Sequence, residues 1–309
     1  MAKILVTGGA GFIGSNLVED IIKDDNEIVI VDDLSMGLES NIPPDSKITF
    51  YHKSITDYNF MENLLLTEQF DYIYLLAAVA SVADSIARPA YTHEVNQNAN
   101  LFILETIRKN KLPVKKLLFA SSAAIYGDEP TLPKSESSAV RPLTPYAIDK
   151  FATERFVVDY GKLYGLNTVA VRFFNVYGPK QNPASPYSGV LSILADRLIS
   201  HQEFTLFGDG EQTRDFVFVK DVISALRMLM HHESARNDVF NIATGNKTSV
   251  NDVIREMQSI TGIELDLRQE QEREGDIRDS LANISKLESL GFEPEYSLKD
   301  GMNLYLKSL

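Results

Sequence analysis

The feature that most limits what this chain can fold into is a glycine-rich turn between an apolar run and a helical pattern. Ile4-Leu5-Val6 leads into Thr7-Gly8-Gly9-Ala10-Gly11-Phe12-Ile13-Gly14. Glycines at 8, 11 and 14 let the backbone turn tightly, approach a pyrophosphate and pack helix against strand, while the helix N-terminus favours the anion. Asp32 ends the next apolar run, 18 residues after Gly14, and Asp33 follows it. A carboxylate there accepts hydrogen bonds from ribose hydroxyls and repels a 2′-phosphate, so NAD is expected over NADP.

Strand candidates are 3–7, 27–31, 48–52, 72–76, 116–120 and 168–173, several apolar on both faces as a buried parallel sheet requires. Helical patterns over 14–24, 60–68, 95–109 and 145–163 alternate with them. This order predicts a doubly wound, Rossmann-type parallel α/β sheet with right-handed crossovers. After Tyr177-Gly178-Pro179 the texture changes to a proline-bearing loop, a helix over 190–200 and a run at 204–207. Runs 215–219 and 239–243 read as strands returning to the first lobe, around a helix over 221–232, and 246–309 supplies helices and a strand near 265–267. The expected division is 1–175 with returning segments near 213–245 as the NAD-binding domain, and 176–212 with 246–309 as a smaller α/β lobe.

With 309 residues and 44% hydrophobic composition the chain can bury a large core, and with no cysteine it excludes disulfides and thiolate metal sites. A net charge of −13, spread along the chain, argues against nucleic acid as a partner. No apolar run approaches the ~20 residues that cross a bilayer, and no signal peptide opens the chain, so a cytoplasmic protein is expected. The histidines form no metal-ligand pattern, and Gly-x-Ser-x-Gly and Walker-type motifs are absent.

Tyr146 and Lys150 stand four apart and share one face of the predicted helix. A free tyrosine titrates near ~10, and moving it to about 7 takes roughly 4 kcal/mol of preference for the phenolate. A neighbouring cation and a hydrogen bond to the charged oxygen are the physical means. Ser122, just past the apolar run 116–120, can supply that bond or share one with a substrate hydroxyl.

The glycine turn, Ser122 placed 24 residues before Tyr146, and the Tyr-x-x-x-Lys pair together resemble the extended short-chain dehydrogenase/reductase family, specifically its nucleotide-sugar 4-epimerases. The resemblance covers nearly the whole chain. It implies that Phe12 and Ile13 join the glycines at the cofactor, that Ile55 lines the adenine pocket, that Leu76, Ala77 and Ala78 face the cofactor, and that Asn96 stands near it. Asn96 could instead cap or bridge backbone. Ser54 stands where the family usually has aspartate. Tyr146 is implied to take a proton from a sugar hydroxyl as hydride passes to the nicotinamide, with Lys150 also holding the nicotinamide ribose. NAD, regenerated every turnover, then acts as a bound cofactor.

Asn175, Arg214 and Arg273 match residues that hold the substrate diphosphate, and Asp276 one near the nucleotide ribose. Ser280 occupies a position whose small size admits an N-acetyl group, and Ser81 matches a sugar-contacting serine. Ala123 and Ala124 follow Ser122 where dehydratases and decarboxylases of the family carry an acid, so return of the hydride, and hence epimerisation, is implied. The substrate expected is UDP-N-acetylglucosamine, interconverted with UDP-N-acetylgalactosamine, with UDP-glucose and UDP-galactose as further substrates. A strict UDP-glucose 4-epimerase, a UDP-uronic acid 4-epimerase, a net oxidoreductase and a non-catalytic nucleotide-binding regulator are the alternatives. A homodimer is expected through the helices near 95–109 and 146–163, with Leu101, Leu104, Phe151, Phe156 and Val157 as candidate contacts.

Overall fold

The apolar runs form a seven-stranded parallel sheet. In a computed structural model, which describes residues 1–182, 189–272 and 277–309, its strands are β1 (Lys3–Thr7), β2 (Glu27–Asp32), β3 (Ile48–His52), β4 (Tyr72–Leu75), β5 (Lys116–Ser122), β6 (Thr168–Phe173) and β7 (Asp238–Ile242). They lie in the order β7-β6-β5-β4-β1-β2-β3. The order reverses at β1, whose two neighbours are β2 and β4. Ligands bind outside the carboxyl ends of the strands at such a reversal.

Both faces of the sheet are covered, which explains the continuous apolar runs. Ile4, Val6, Ile28 and Ile30 belong to one cluster with Leu17 and Leu226, and Leu5, Val29 and Val31 to another with Leu64, Ile103 and Val157. The helices are α1 (Phe12–Ile21), α2 (Tyr58–Glu68), α3 (Val82–Ala87), α4 (Pro89–His93), α5 (Ala99–Asn110), α6 (Pro145–Tyr164), α7 (Val190–Ile199), α8 (Val219–His231) and α9 (Val250–Thr261), of which α1 and α8 carry Leu17 and Leu226 to one face and α2, α5 and α6 carry Leu64, Ile103 and Val157 to the other. The α6 helix starts where it does because Thr144 Oγ1 accepts from Ala147 N and proline fills the first turn; Gly165, at φ 76°, takes the left-handed position that ends it.

Several expectations change. The predicted helix 95–109 opens as a π-turn over Glu94–Asn98 before becoming α5, and α3 and α4 precede it in a stretch to which the sequence reading assigned no element. The run at 215–219 does not return to the main sheet. Phe216–Phe218 pairs in parallel with Asn175–Tyr177, and Val219 already begins α8. Leu267–Glu270 pairs in parallel with Phe204–Phe207. Leu104 and Val157 are fully buried beneath the sheet and offer nothing to a partner subunit, because the α5 and α6 faces that carry them pack inward. Among the described residues no helix is long and apolar enough to cross a membrane, and no cluster of acidic or histidine side chains could hold a metal ion.

Candidate active site

At the carboxyl ends of the strands lies a cavity of about 540 Å³. Its floor is the glycine turn. Gly8 has φ +74°, and a Cβ built on it would stand 2.7 Å from Ala77 N; a Cβ on Gly14 would stand 2.1 Å from the Gly8 carbonyl oxygen. Only glycine fits both places, and the close approach seats the start of α1 on β1. Gly11 caps α1 with no side-chain hydrogen bond, no acidic residue stands in its first turn, and Gly11, Phe12 and Ile13 line the cavity. Open backbone donors at a helix N-terminus, with the field of the helix behind them, fit a pyrophosphate.

Asp32 lines the same cavity at the end of β2. Its carboxylate accepts from Ala10 N at 3.0 Å and from Leu34 N at 2.8 Å. Burial pushes its carboxyl up, and the backbone donors push back. A carboxylate offers about four lone-pair sites, so ribose hydroxyls still find acceptors. Asp33, Ile55, Leu76, Ala77 and Ala78 also reach the cavity. Ser54 does not line it, and its hydroxyl lies 2.9 Å from that of Thr56. Asn96 is turned away as well. It is fully buried, its Oδ1 accepts from Val79 N at 2.8 Å and its Nδ2 donates to Val79 O at 3.0 Å. The side chain thus clamps the segment after β4 from behind rather than facing the cavity.

On another wall β5 ends at Ser122 and α6 begins beside it, bringing Ser122, Tyr146 and Lys150 to the cavity. Ser122 lies close enough to the Tyr146 phenol to favour its charged form. The Ser122 hydroxyl also accepts from Ala124 N at 3.2 Å, in a 3₁₀ turn over Ala123–Tyr126 that carries no acid. Lys150 is buried, donates to Ala120 O at 2.7 Å, and stands 5.0 Å from the Phe119 ring centroid and 5.9 Å from that of Tyr146. Burial lowers its pKa to about 7, opposed by the charge of Asp149. Burial likewise pushes the Tyr146 phenol up, opposed by Ser122. Burial thus penalises both charged forms and works against the help that a Lys150 cation gives the phenolate.

Behind this wall an ion pair is fully enclosed. Arg172 donates to both oxygens of Glu154, at 2.7 and 2.9 Å, and to the Tyr126 hydroxyl at 2.8 Å, while Ser121 Oγ donates to Glu154 at 2.7 Å. These bonds pin the end of β5, since Ser121 lies opposite Arg172 and Ser122 opposite Phe173 in the register.

The residues matched to the substrate are only partly gathered. Ser81 lines the cavity, with its hydroxyl accepting from Asp84 N at 2.8 Å to cap α3. Asn175 lines it too, and its backbone N donates to Asp215 O at 3.2 Å. Arg214 is not among the lining residues; its Nη1 donates to the carbonyls of Thr213 at 2.8 Å and Arg278 at 3.3 Å. Ser280 is also outside the lining, with its backbone N donating to Thr213 O at 3.1 Å. Arg273 and Asp276 lie outside the described residues. One buried carboxylate ties these segments together: Asp215 accepts from Thr244 N and Oγ1 at 2.8 Å each, from Gly245 N at 2.9 Å and from Ala282 N at 3.2 Å.

Two lining segments escaped the sequence reading. Ser35, Met36 and Gly37 fold over the glycine turn, fixed by Leu38 N and Asn41 Nδ2 donating to Ala10 O at 3.1 and 3.0 Å. Lys180 reaches across to α1, donating to Glu19 at 2.7 Å and to Asn41 O at 3.1 Å, while Asn16 Nδ2 donates to Pro179 O at 3.0 Å. Gly178, at φ +146°, and Gly37, where a Cβ would stand 2.8 Å from the Ala10 carbonyl carbon, were the available signals.

Comparison with known proteins agrees with this geometry. Residues 4–243 match the model of the NAD dependent epimerase/dehydratase family. A putative UDP-glucose 4-epimerase of Methanocaldococcus jannaschii is 37% identical over 300 residues, covering 97% of this chain and 95% of its own. Among solved structures, UDP-glucose 4-epimerase from Thermotoga maritima with UDP-glucose superposes with a TM-score of 0.94 at 38% identity, covering 99% of this chain and 98% of that one. UDP-N-acetylglucosamine 4-epimerase from Methanobrevibacter ruminantium, in complex with UDP-N-acetylmuramic acid, superposes with a TM-score of 0.93 at 34% identity, covering 99% and 97%.

Proposed function

The chain belongs to the NAD dependent epimerase/dehydratase family, and on that premise we propose that it inverts C4 of UDP-hexoses through a transient 4-keto sugar, with UDP-N-acetylglucosamine and UDP-N-acetylgalactosamine as the preferred pair. The carrying observation is that Ser122, Tyr146 and Lys150 converge on the cavity floored by the Gly8–Gly14 turn. NAD held by Gly11, Phe12, Ile13, Asp32 and Ile55 supplies the hydride acceptor and donor. Tyr146 Oη takes the proton of the C4 hydroxyl, and Ser122 Oγ orients that hydroxyl. The Lys150 cation favours the phenolate that a base must be. Ala123 and Ala124 place no further acid beside Ser122, so nothing on this wall drives loss of water or of a carboxylate.

The preference for neutral sugars rests on the charges around the cavity. Its described lining cations are Lys53, Lys150 and Lys180, held by Asp57 at 3.0 Å, the Ala120 carbonyl at 2.7 Å and Glu19 at 2.7 Å. Among the described residues the lining holds no arginine, whose paired donors would grip a sugar carboxylate. The similarity to a UDP-N-acetylglucosamine 4-epimerase at 34% identity supports the acetylated pair, with UDP-glucose and UDP-galactose as further substrates. We assign the cofactor to residues 1–175 with 213–245, the nucleotide-sugar to 176–212 with 246–309, and pairing into a homodimer to the outer faces of α5 and α6.

The test is an NMR time course with catalytic NAD and either UDP-N-acetylglucosamine or UDP-glucose, run beside the Tyr146→Phe protein. The galacto isomer is expected in both tubes, faster in the first, and Tyr146→Phe is expected to bind UDP-sugar without turnover. Conversion of UDP-glucose alone overturns the preference, and full turnover by Tyr146→Phe overturns the base.

A further inference from the structure

Asp149 precedes Lys150 in α6 and is only 3% exposed. Its Oδ1 lies 2.7 Å from His93 Nδ1, at the end of α4, while its Oδ2 is buried with no hydrogen-bond partner. A buried carboxylate with one oxygen unsatisfied is costly, and such a group calls for an explanation beyond packing. The His93 side chain is 45% exposed, so the pair runs from the surface to the residue beside Lys150.

We propose that Asp149, held by His93, is a positioning residue of the proton machinery, its buried charge keeping Lys150 the cation that a Tyr146 phenolate needs. This rests on reading Tyr146 and Lys150 as the proton-handling pair. The other charged groups on elements packed against α6 are engaged elsewhere. Arg172 of β6 is bound to Glu154, Lys116 of β5 to the Leu229 and His232 carbonyls, and Asp84 of α3 to Arg88. Glu94 of the π-turn is bound to Tyr58 and Asn98, Glu105 of α5 to Arg108 and Lys109, and Asp238 of β7 to Lys286. The phenols on these elements are Tyr91 of α4 and Tyr126 of the 3₁₀ turn, and burial pushes that of Tyr126 up. Asp149 is the group whose charge opposes the loss of the Lys150 proton to burial.

The sign follows directly. Lys150 is a cation below its pKa, and removing a nearby anion lowers that pKa, so the charged form is lost at lower pH. Asp149→Asn keeps shape and the contact to His93 while removing the charge. The alkaline limb of the kcat profile is expected to move down by about one pH unit, with KM for UDP-sugar little changed. His93→Phe is expected to shift the limb the same way by less, and His93→Gln, which retains a donor, to restore it.

A titration of Lys150 by NMR of protein carrying isotope-labelled lysine reads the same shift without turnover, so it stands even where the assigned substrates are not converted. Asp149→Ser, checked by thermal melting, serves where the asparagine variant does not fold. An Asp149→Asn protein whose Lys150 midpoint and alkaline limb both coincide with those of the parent overturns the proposal.

Discussion

Replacing Arg172 with methionine isolates the cost of stranding a charge behind the candidate active site. Arg172 is 4% exposed and its partner Glu154 is fully buried, so water reaches neither. In the parent, the Glu154 carboxylate accepts two hydrogen bonds from Arg172 and one from Ser121. Arg172→Met leaves Glu154 with the Ser121 hydroxyl alone, and breaking a buried pair in this way costs about 4 kcal/mol. With 309 residues and an unfolding entropy of about 2.1 cal/mol/K per residue, that loss lowers Tm by ~6 °C. The assay is thermal melting of four proteins: parent, Arg172→Met, Glu154→Gln, and the double variant. If stranded charge is the cause, the double variant melts above Arg172→Met, regaining ~2 kcal/mol because no anion remains to be buried. A double variant that melts at or below Arg172→Met refutes the reasoning and moves the cost to lost packing around Tyr126.

Two further predictions follow from other parts of the molecule. Gly14→Ala places a Cβ 2.1 Å from the Gly8 carbonyl oxygen, a backbone atom that cannot swing aside; α1 must retreat, and NAD affinity measured by calorimetry is expected to fall at least tenfold, a cost of ~1.4 kcal/mol. Hydrogen bonding to Lys134 lowers the Glu129 carboxyl from 4.5 to about 2. A lowered carboxyl stabilises the fold above its unfolded pKa and loses that contribution as pH falls through the folded value, so Glu129→Gln should flatten the decline of Tm between those two pH values. A decline as steep as the parent's counts against that assignment.

How much of this was readable in the sequence depended on the reach of each signal. The glycine turn is a local steric demand, and the positions at 8, 11 and 14 stand where their spacing placed them. The four-residue separation of Tyr146 and Lys150 likewise needs only a helix. What the sequence could not provide was the direction of a side chain whose partner is distant. Asn96 lies at the cofactor's level of the fold but spends its amide on Val79, 17 residues away. The pairing of His93 with Asp149 spans 56 residues, and no periodicity announces it. The run 215–219 has the composition of a strand, yet its partner is Asn175–Tyr177 rather than the main sheet, a choice settled by where β6 ends. Leu104 and Val157 are as apolar as any interface residue, and only packing tells that they face inward.

The position of β1 has a consequence for how the protein is made. Of the strands of this sheet β1 is synthesised before the rest, yet it sits inside the sheet, and its second neighbour, β4, begins at Tyr72. Until then the nascent chain exposes a β1 edge of unpaired backbone groups, open to pairing with other chains. The wall bearing Ser122 and Tyr146 comes later still, and the outer strand β7 begins at Asp238. A truncated product therefore carries the glycine turn without the walls that would retain a ligand. A ligand held by all the walls of this cleft therefore stabilises the chain fully only once β5 and α6 have joined the sheet.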